Sequence, residues 1–354
     1  MKSLHSLTIL VTLLSLVTNI AKGGDFLADT LKPISVIKEY PQIVLPVERG
    51  QFSGITWIAE SSSSSSNRYA VVDDKLLGGG ILFFDIPINR TTGEIGFITA
   101  TVPDGTKVAS GKSQDCEAIA YLPKTNKLLI ATERDLSILE YDLKGRLTGN
   151  YATIPPYFIK TNLSNSNGGF ESLSYNATTQ LFWTTTENPL IQDSLYLHTH
   201  RLQCFSDSTF EPLQYYLYQT DAPTITSFPS GVKYAFGISD LAALDDGRVI
   251  VMEREAYAPK YSNSGNIFEL LSIASKMFCT IKLYVVNPAE HSSKDTILKK
   301  ELLYSFTTNS IYIANYEGLC LGPKLSDGSR CLILIADSQA HQYTTEWLKV
   351  LFIK

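Results

Sequence analysis

The chain has 354 residues, of which 44% are hydrophobic and 18% charged, so it can bury a large core and is not intrinsically disordered. Its 30 Lys and Arg against 35 Asp and Glu give a formal net charge of −5 without a basic cluster, which argues against a nucleic-acid partner. The five cysteines form no CxxC pair, so neither a zinc site nor a disulfide framework is indicated.

The N-terminal segment has the pattern of a signal peptide. Residues 7–21, "LTILVTLLSLVTNIA", form an apolar run that follows Lys2 and precedes "AKG". The alternative is a membrane anchor, but the run is shorter than the roughly 20 residues that span a bilayer. We predict a cleaved signal peptide over 1–23 and a single domain over 24–354. The mature protein is expected to be secreted or periplasmic, monomeric and without a transmembrane segment.

The rest of the chain is typical of short β-strands bounded by polar turns. The strand candidates in chain order include "RYAVVDD", "KLLIATE", "LFWTTTE", "RVIVMER" and "CLILIAD". The six serines at 61–66 are interpreted as a loop tip. Only "IFELLSIASKMF" at 267–278 has a helical composition, and it is either an insertion or a strand with an attached loop.

One unit occurs five times: an acidic or small polar residue opens an apolar run, and after a turn a second apolar run closes on an acid. Glu117 and Glu133 are 16 residues apart, as are Glu171 and Glu187. This spacing predicts a hairpin of two antiparallel strands, in which the opening and closing residues are neighbours.

The spacing of the units predicts an all-β propeller. The units begin at residues 53, 117, 171, 239 and 317, a separation that suits one four-stranded blade plus insertions. Dividing the expected mature length by about 55 residues per blade predicts six blades. Corresponding positions of the blades converge at one end of the central channel, so the acids would form a carboxylate ring there.

A ring of carboxylates needs compensating positive charge, and hard divalent cations supply it through oxygen ligands. Because His and Cys are absent from the units, Ca²⁺ is favoured over zinc or copper. The predicted metal ligands are Asp73, Glu117, Glu133, Glu171, Glu187, Glu253, Glu317 and Asp337, and Asp74 and Asp240 are further members of the ring. The predicted catalytic residues are Glu171, Glu117, Arg134 and Arg254, where the two arginines could hold a phosphate by two hydrogen bonds.

The series "FSGITW", "DCEAIAY", "LLIATERD", "GGFESLSY", "RVIVMERE" and "NYEGLCL…LILIADS" resembles the family named for an esterase-like activity of phytase, over about residues 50–340. The resemblance implies a secreted propeller that hydrolyses phosphoesters or esters. By looser analogy with calcium-dependent propeller phytases, it also implies calcium at a channel mouth. Two units depart from the pattern, because Ser53 and Ser239 stand where the others have Glu.

These observations predict a metal-dependent hydrolase, phytase-like or phosphodiesterase-like, acting on a small-molecule phosphoester. One alternative is a calcium-dependent propeller esterase or lactonase. The other is a non-catalytic binding module in which the acids are structural. His341, which follows Asp337 closely, is a further candidate near the ring.

Overall fold

The computed structural model describes residues 31–47, 50–59, 67–73, 80–101, 115–165, 168–193, 198–227, 229–260, 267–291, 296–337 and 346–354. The predicted signal peptide, the serine run and His341 lie outside this set. Within it the chain forms 21 β-strands, one α-helix and four 3-10 turns. None of the described helices is long and apolar enough to cross a membrane.

The strands form antiparallel sheets, numbered here as blades in chain order. Strands β1 (Val36–Glu39) and β2 (Ile43–Val44) precede the first blade. Blade 1 contains β3 (Phe52–Trp57), β4 (Arg68–Asp73), β5 (Gly80–Asp85) and β6 (Thr99–Thr101). Blade 2 contains β7 (Cys116–Leu122), β8 (Lys127–Thr132), β9 (Ser137–Asp142) and β10 (Leu147–Tyr151). Blade 3 contains β11 (Ser174–Asn176), β12 (Leu181–Thr184), β13 (Thr199–Ser206) and β14 (Pro212–Gln219).

Blade 4 contains β15 (Lys233–Ala243), β16 (Val249–Ala258), β17 (Phe278–Val286) and β18 (Lys300–Asn309). Helix α1 (Ile267–Ala274) lies between β16 and β17, so the stretch of helical composition is an insertion within this blade. Blade 5 contains β19 (Asn315–Lys324), β20 (Arg330–Asp337) and β21 (Trp347–Ile353). The 3-10 turns cover Lys160–Asn162, Ile191–Asp193, Pro288–Glu290 and Ser310–Tyr312.

The blades form a closed ring. Each inner strand (β3, β7, β11, β15 and β19) contacts the inner strands of both neighbours, and β19 returns to β3. A separate hydrophobic cluster fills each junction between adjacent blades. Strands such as β8 are therefore buried on both faces, which explains their nearly continuous apolar sequence. The fold is an all-β propeller.

The propeller has five blades in the described residues, so the prediction of six is wrong. The five repeated units correspond to five blades, and the sixth was added only by dividing the chain length. The residues counted as a sixth blade belong to the other blades. The N-terminal strands β1 and β2 complete blade 5 by pairing with β21, and blade 4 has strands of up to 11 residues.

The inner strands all begin at one end of the channel and finish at the other. At the far end they line a small cavity of about 120 Å³, to which every blade contributes, for example through Trp57, Tyr121, Tyr175, Ala243 and Leu321. At the near end lie the opening and closing residues of the repeated units.

Candidate functional site

The opening residues lie on β-bulges. The strand register shifts between Phe52 and Gly54, Cys116 and Ala118, Ile238 and Asp240, and Tyr316 and Gly318. The extra residue in each case is the opening residue: Ser53, Glu117, Ser239 or Glu317. A bulge bends the strand and redirects a side chain. Glu171 takes the equivalent place in blade 3, and all five opening residues are buried.

The closing residue of a unit is found from the register of its hairpin. The residue just before the bulge pairs with a residue on the second strand, and the closing residue is the next one along that strand. Cys116 pairs with Thr132, and Glu133 follows; Phe170 bridges Thr186, and Glu187 follows. By the same register, the closing residues of blades 4 and 5 are Arg254 and Asp337. Arg254 therefore occupies the place of an acid. The predicted carboxylate ring is interrupted by Ser53, Ser239 and Arg254.

Glu117, Glu133 and Glu171, here called the acidic triad, bring one ligand atom each to within 4.8 Å of one another. Glu117 and Glu171 are each only 7% exposed. No hydrogen-bond donor of the described residues reaches the Glu171 carboxylate. Glu133 is half-buried. Carboxylate oxygens this close together are the donor set that a hard divalent cation takes, so the chemistry of the triad fits such an ion.

Tight backbone contacts fix the acids between blades. The Gly169 N–H donates to Glu133 Oε1 at 3.2 Å, and a Cβ at Gly169 would lie 2.7 Å from Glu133 Cγ. A Cβ at Gly237 would lie 2.1 Å from the backbone oxygen of Glu187. Glycine at these two places lets the closing residue of one blade contact the opening segment of the next.

Arg254 lies buried between two acids from different blades. Its Nη2 donates to Glu187 at 2.6 Å, and its Nη1 contacts Glu317 and, at 3.2 Å, the side-chain oxygen of Asn315. Asn315 also donates to Glu317 at 2.7 Å. Arg254 is therefore the counter-charge of Glu187 and Glu317. The sequence predicted that Arg254 binds a phosphate group of the substrate, but both of its terminal nitrogens already contact carboxylates of the protein.

The electrostatics link the triad to this bridge. Burial raises the pKa of Glu171 well above its usual value, the neighbouring Glu117 and Glu187 raise it further, and Arg254 opposes them. Burial also raises the pKa of Glu187, while Arg254 lowers it. Although burial favours the neutral form of Arg254, Glu317 and Glu187 hold its pKa well above the usual value. The site has excess negative charge and retains its single buried arginine as a cation.

The structure corrects the predicted place of Glu253 and Asp73. Adjacent residues of a strand point to opposite faces, so Glu253 faces away from Arg254 and accepts hydrogen bonds from Tyr218 at 2.5 Å and Lys300 at 2.7 Å. Asp73 has the register position of Glu253, and its carboxylate accepts the Gln51 N–H at 3.3 Å. The register assigns the closing position of blade 1 to the next residue, 74, which lies outside the described part of the chain.

Two further predicted residues have other places. Arg134 is exposed in the turn after β8, whereas Arg254 is buried. Asp240 is fully buried and accepts backbone N–H groups from Leu319 at 2.6 Å, Leu241 at 2.8 Å and Leu173 at 3.3 Å. These donors belong to three blades, so Asp240 joins the blades around the axis.

A cavity of about 640 Å³ opens beside the Arg254 bridge. Glu187, Arg254, Glu317 and Asp337 line it, together with residues of β15, β16 and the start of β17. Sequence reasoning missed its walls, because the alanine, aromatic and amide side chains that form them belong to no recognisable motif. The cavity places a ligand-sized space next to the buried acids.

The fold and the site define a five-bladed β-propeller with a buried carboxylate cluster beside its axis. The chain belongs to the Phytase-like family, described as esterase-like activity of phytase, whose model matches residues 48–339. No curated protein matches the chain.

Solved structures similar to the chain are remote. The holo form of the pyranose dehydrogenase PQQ domain from Coprinopsis cinerea is 10% identical, with a TM-score of 0.41 over 91% of this chain and 98% of that one. The Cps50 (Swd1) beta-propeller domain of Myceliophteria thermophila is 9% identical, with a TM-score of 0.34 over 91% and 99%. A chain of a nidogen/laminin complex is 9% identical, with a TM-score of 0.38 over 84% and 80%.

Proposed function

We propose that this protein is a divalent-cation-dependent hydrolase of small-molecule phosphoesters, exported as a monomer and using Ca²⁺. The observation that carries the proposal is the acidic triad, in which three carboxylates lie within 4.8 Å and the Glu171 carboxylate has no donor among the described residues. Carboxylates packed this closely repel one another, and a bound cation removes the repulsion. Family membership supports ester hydrolysis as the reaction class.

Glu117, Glu133 and Glu171 would hold the cation. When bound, such an ion polarises an ester oxygen and makes water a better nucleophile. Arg254 is a positioning residue, because its contacts with Glu187 and Glu317 hold both carboxylates in place beside the cavity. Glu187, Glu317 and Asp337 line the cavity and could accept a proton from water or stabilise a second cation.

A second candidate is a carboxyl-ester hydrolase of the same architecture. The observation favouring it is the engagement of Arg254, since the arginine expected to grip two phosphate oxygens is bound to two glutamates. A substrate with one carbonyl oxygen needs no such grip.

The test is turnover by the purified full chain, with phosphoesters and carboxyl esters assayed in parallel in Ca²⁺ and in chelator. We expect phosphoester hydrolysis that requires Ca²⁺ and is lost in Glu171→Gln, which keeps the side-chain shape but removes the charge. The matched control is Glu301→Gln, an exposed acid on β18, which should keep full activity. Turnover restricted to carboxyl esters would favour the second candidate, and no turnover would favour a binding module with structural acids.

A further inference from the structure

We propose that the 640 Å³ cavity binds an uncharged apolar group of the substrate, such as the aryl or alkyl part of the ester, and that polyphosphorylated compounds are poor ligands. This inference rests on the proposed hydrolysis at the neighbouring acids. It adds the class of substrate.

One wall of the cavity, here called the alanine wall, is formed by short apolar side chains on β15, β16 and β17. On β16, Ala256 and Ala258 share the face of Arg254, because they follow it at intervals of two. Ala235 and Cys279 are the cross-strand partners of Ala256 on β15 and β17. These short side chains leave the space open and present carbon and sulfur rather than hydrogen-bonding groups. The rest of the uncharged lining is larger: Met277, Ile313 and the aromatic residues Tyr234, Phe236, Tyr257 and Phe278, with the amides Asn165, Asn188 and Asn315. Two of these amides are engaged within the protein, because Asn188 donates to the Phe236 carbonyl and Asn315 donates to Glu317.

The charges of the lining disfavour a polyanion. Glu187, Glu317 and Asp337 are acidic, and Arg254 is neutralised by two of these acids. Lys233 is the remaining cation of the described lining, and it is exposed. Several phosphates in one ligand require several arginines or lysines, since each phosphate carries between one and two negative charges near pH 7. The lining therefore suits a ligand with one ester group and an apolar body.

The geometry also orients this ligand. The acids lie at the side of the cavity that adjoins the triad, whereas Ala258 and Lys233 pair with each other at the far ends of their strands. An ester group directed to the acids would leave its apolar part against the alanine wall. Burial of that part in a preformed cavity supplies binding free energy without any further charged residue.

The experiment measures binding and turnover separately in the full chain with Ca²⁺. Binding of 2-naphthol, an uncharged bicyclic alcohol, and of inositol hexakisphosphate is measured by calorimetry. Turnover is measured as kcat/KM for 2-naphthyl phosphate and methyl phosphate. The variants are Ala256→Leu and Ala258→Leu, which fill the cavity at two different places. The matched control is Ala289→Leu, the same change at an exposed position in the turn Pro288–Glu290, outside the cavity lining.

We expect 2-naphthol to bind the wild type and Ala289→Leu equally. Ala256→Leu and Ala258→Leu, where they retain the wild-type melting temperature, should bind it at least about tenfold more weakly, a loss of about 1.4 kcal/mol. The kcat/KM for 2-naphthyl phosphate should fall with it, while that for methyl phosphate should change little. If no ester is hydrolysed but 2-naphthol binding still depends on the alanine wall, the hydrolase proposal fails and the assignment of the cavity stands. Unchanged 2-naphthol binding in both Ala256→Leu and Ala258→Leu, or tighter binding of inositol hexakisphosphate than of 2-naphthol, overturns the assignment.

Discussion

Arg254 is the buried cation on which the acidic site depends, so replacing it by methionine is an informative perturbation. Methionine has a similar length but carries no charge. The change leaves Glu187 and Glu317 buried without the counter-charge that contacts both. Removing one partner of a buried ion pair costs about 3–5 kcal/mol, because the remaining charge loses its compensation in a medium of low polarity. Because two carboxylates lose the same partner, we expect a loss toward the upper end of that range.

The assay is urea denaturation of the metal-free protein at pH 7, with the free energy of unfolding compared between variants. Arg146→Met is the matched control, since Arg146 is 72% exposed and its ion pair with Asp142 lies at the surface, and its effect should stay within about 1 kcal/mol. Arg254→Lys should fall between the two, because it keeps the charge but cannot place separate nitrogens on Glu187 and Glu317. A loss below about 1 kcal/mol for Arg254→Met would refute the assignment of Arg254 as the counter-charge of these glutamates.

Three further predictions concern other parts of the propeller. Asp240→Asn should lower the free energy of unfolding by about 1–3 kcal/mol in urea denaturation, because an amide NH₂ replaces one of the two oxygens that accept N–H groups from three blades. The control is Asp246→Asn at a partly exposed acid, and equal effects of the two changes would contradict the structural role of Asp240. Burial lowers the pKa of His200 to about 3, so it stays neutral when folded but protonates near pH 6.5 when unfolded. The contribution of His200 to the free energy of unfolding is complete above pH 6.5 and falls by up to about 1.4 kcal/mol per pH unit toward pH 3. The stability of His200→Phe should therefore depend less on pH between 3 and 6.5 than that of the wild type, and parallel stability curves of the two proteins would contradict the lowered pKa. All five cysteines are buried free thiols, and burial raises the pKa of Cys331 to about 12, so a disulfide reagent should label none in the native protein and all five in urea, and fast native labelling would contradict this burial.

The repeated units were visible in the sequence because each hairpin keeps its length and its polar ends. Glu117 and Glu133, 16 residues apart, lie together as a hairpin requires. The number of blades could not be obtained by division, because a propeller is closed by pairing distant parts of the chain. Val36 pairs with Ile353 in the last blade, and nothing local to either residue indicates this contact.

Strand geometry predicts that Glu253 and Arg254 do not both face the axis. Glu253 and Arg254 are adjacent on β16, so only one of them can face the axis. The 16-residue spacing of the second and third units could not decide which of the two does, because in blade 4 the closing residue Arg254 lies 15 residues after the opening residue Ser239.

The partners of Arg254 were not predictable from the sequence. Glu253 and Glu255 are its neighbours in the chain, but its contacts are Glu187 and Glu317, which are 67 and 63 residues away. Such partners follow from the packing of blades 3, 4 and 5 around the axis. The role of Arg254 therefore changes from a substrate ligand to a counter-charge within the protein.

The binding of a cation by the acidic triad is tested most directly by the free energy of unfolding of the wild type and Glu171→Gln, each in chelator and in Ca²⁺, with Glu301→Gln as control. Because burial and neighbouring acids raise the pKa of Glu171, its ionised form opposes folding at pH 7, so Glu171→Gln in chelator should be at least as stable as the wild type. Ca²⁺ at a hundredfold excess over its dissociation constant should stabilise the wild type by about 2.7 kcal/mol. The same concentration should stabilise Glu301→Gln equally and Glu171→Gln much less. Equal responses of the wild type and Glu171→Gln to Ca²⁺, or no response of either, would contradict a cation site at Glu117, Glu133 and Glu171.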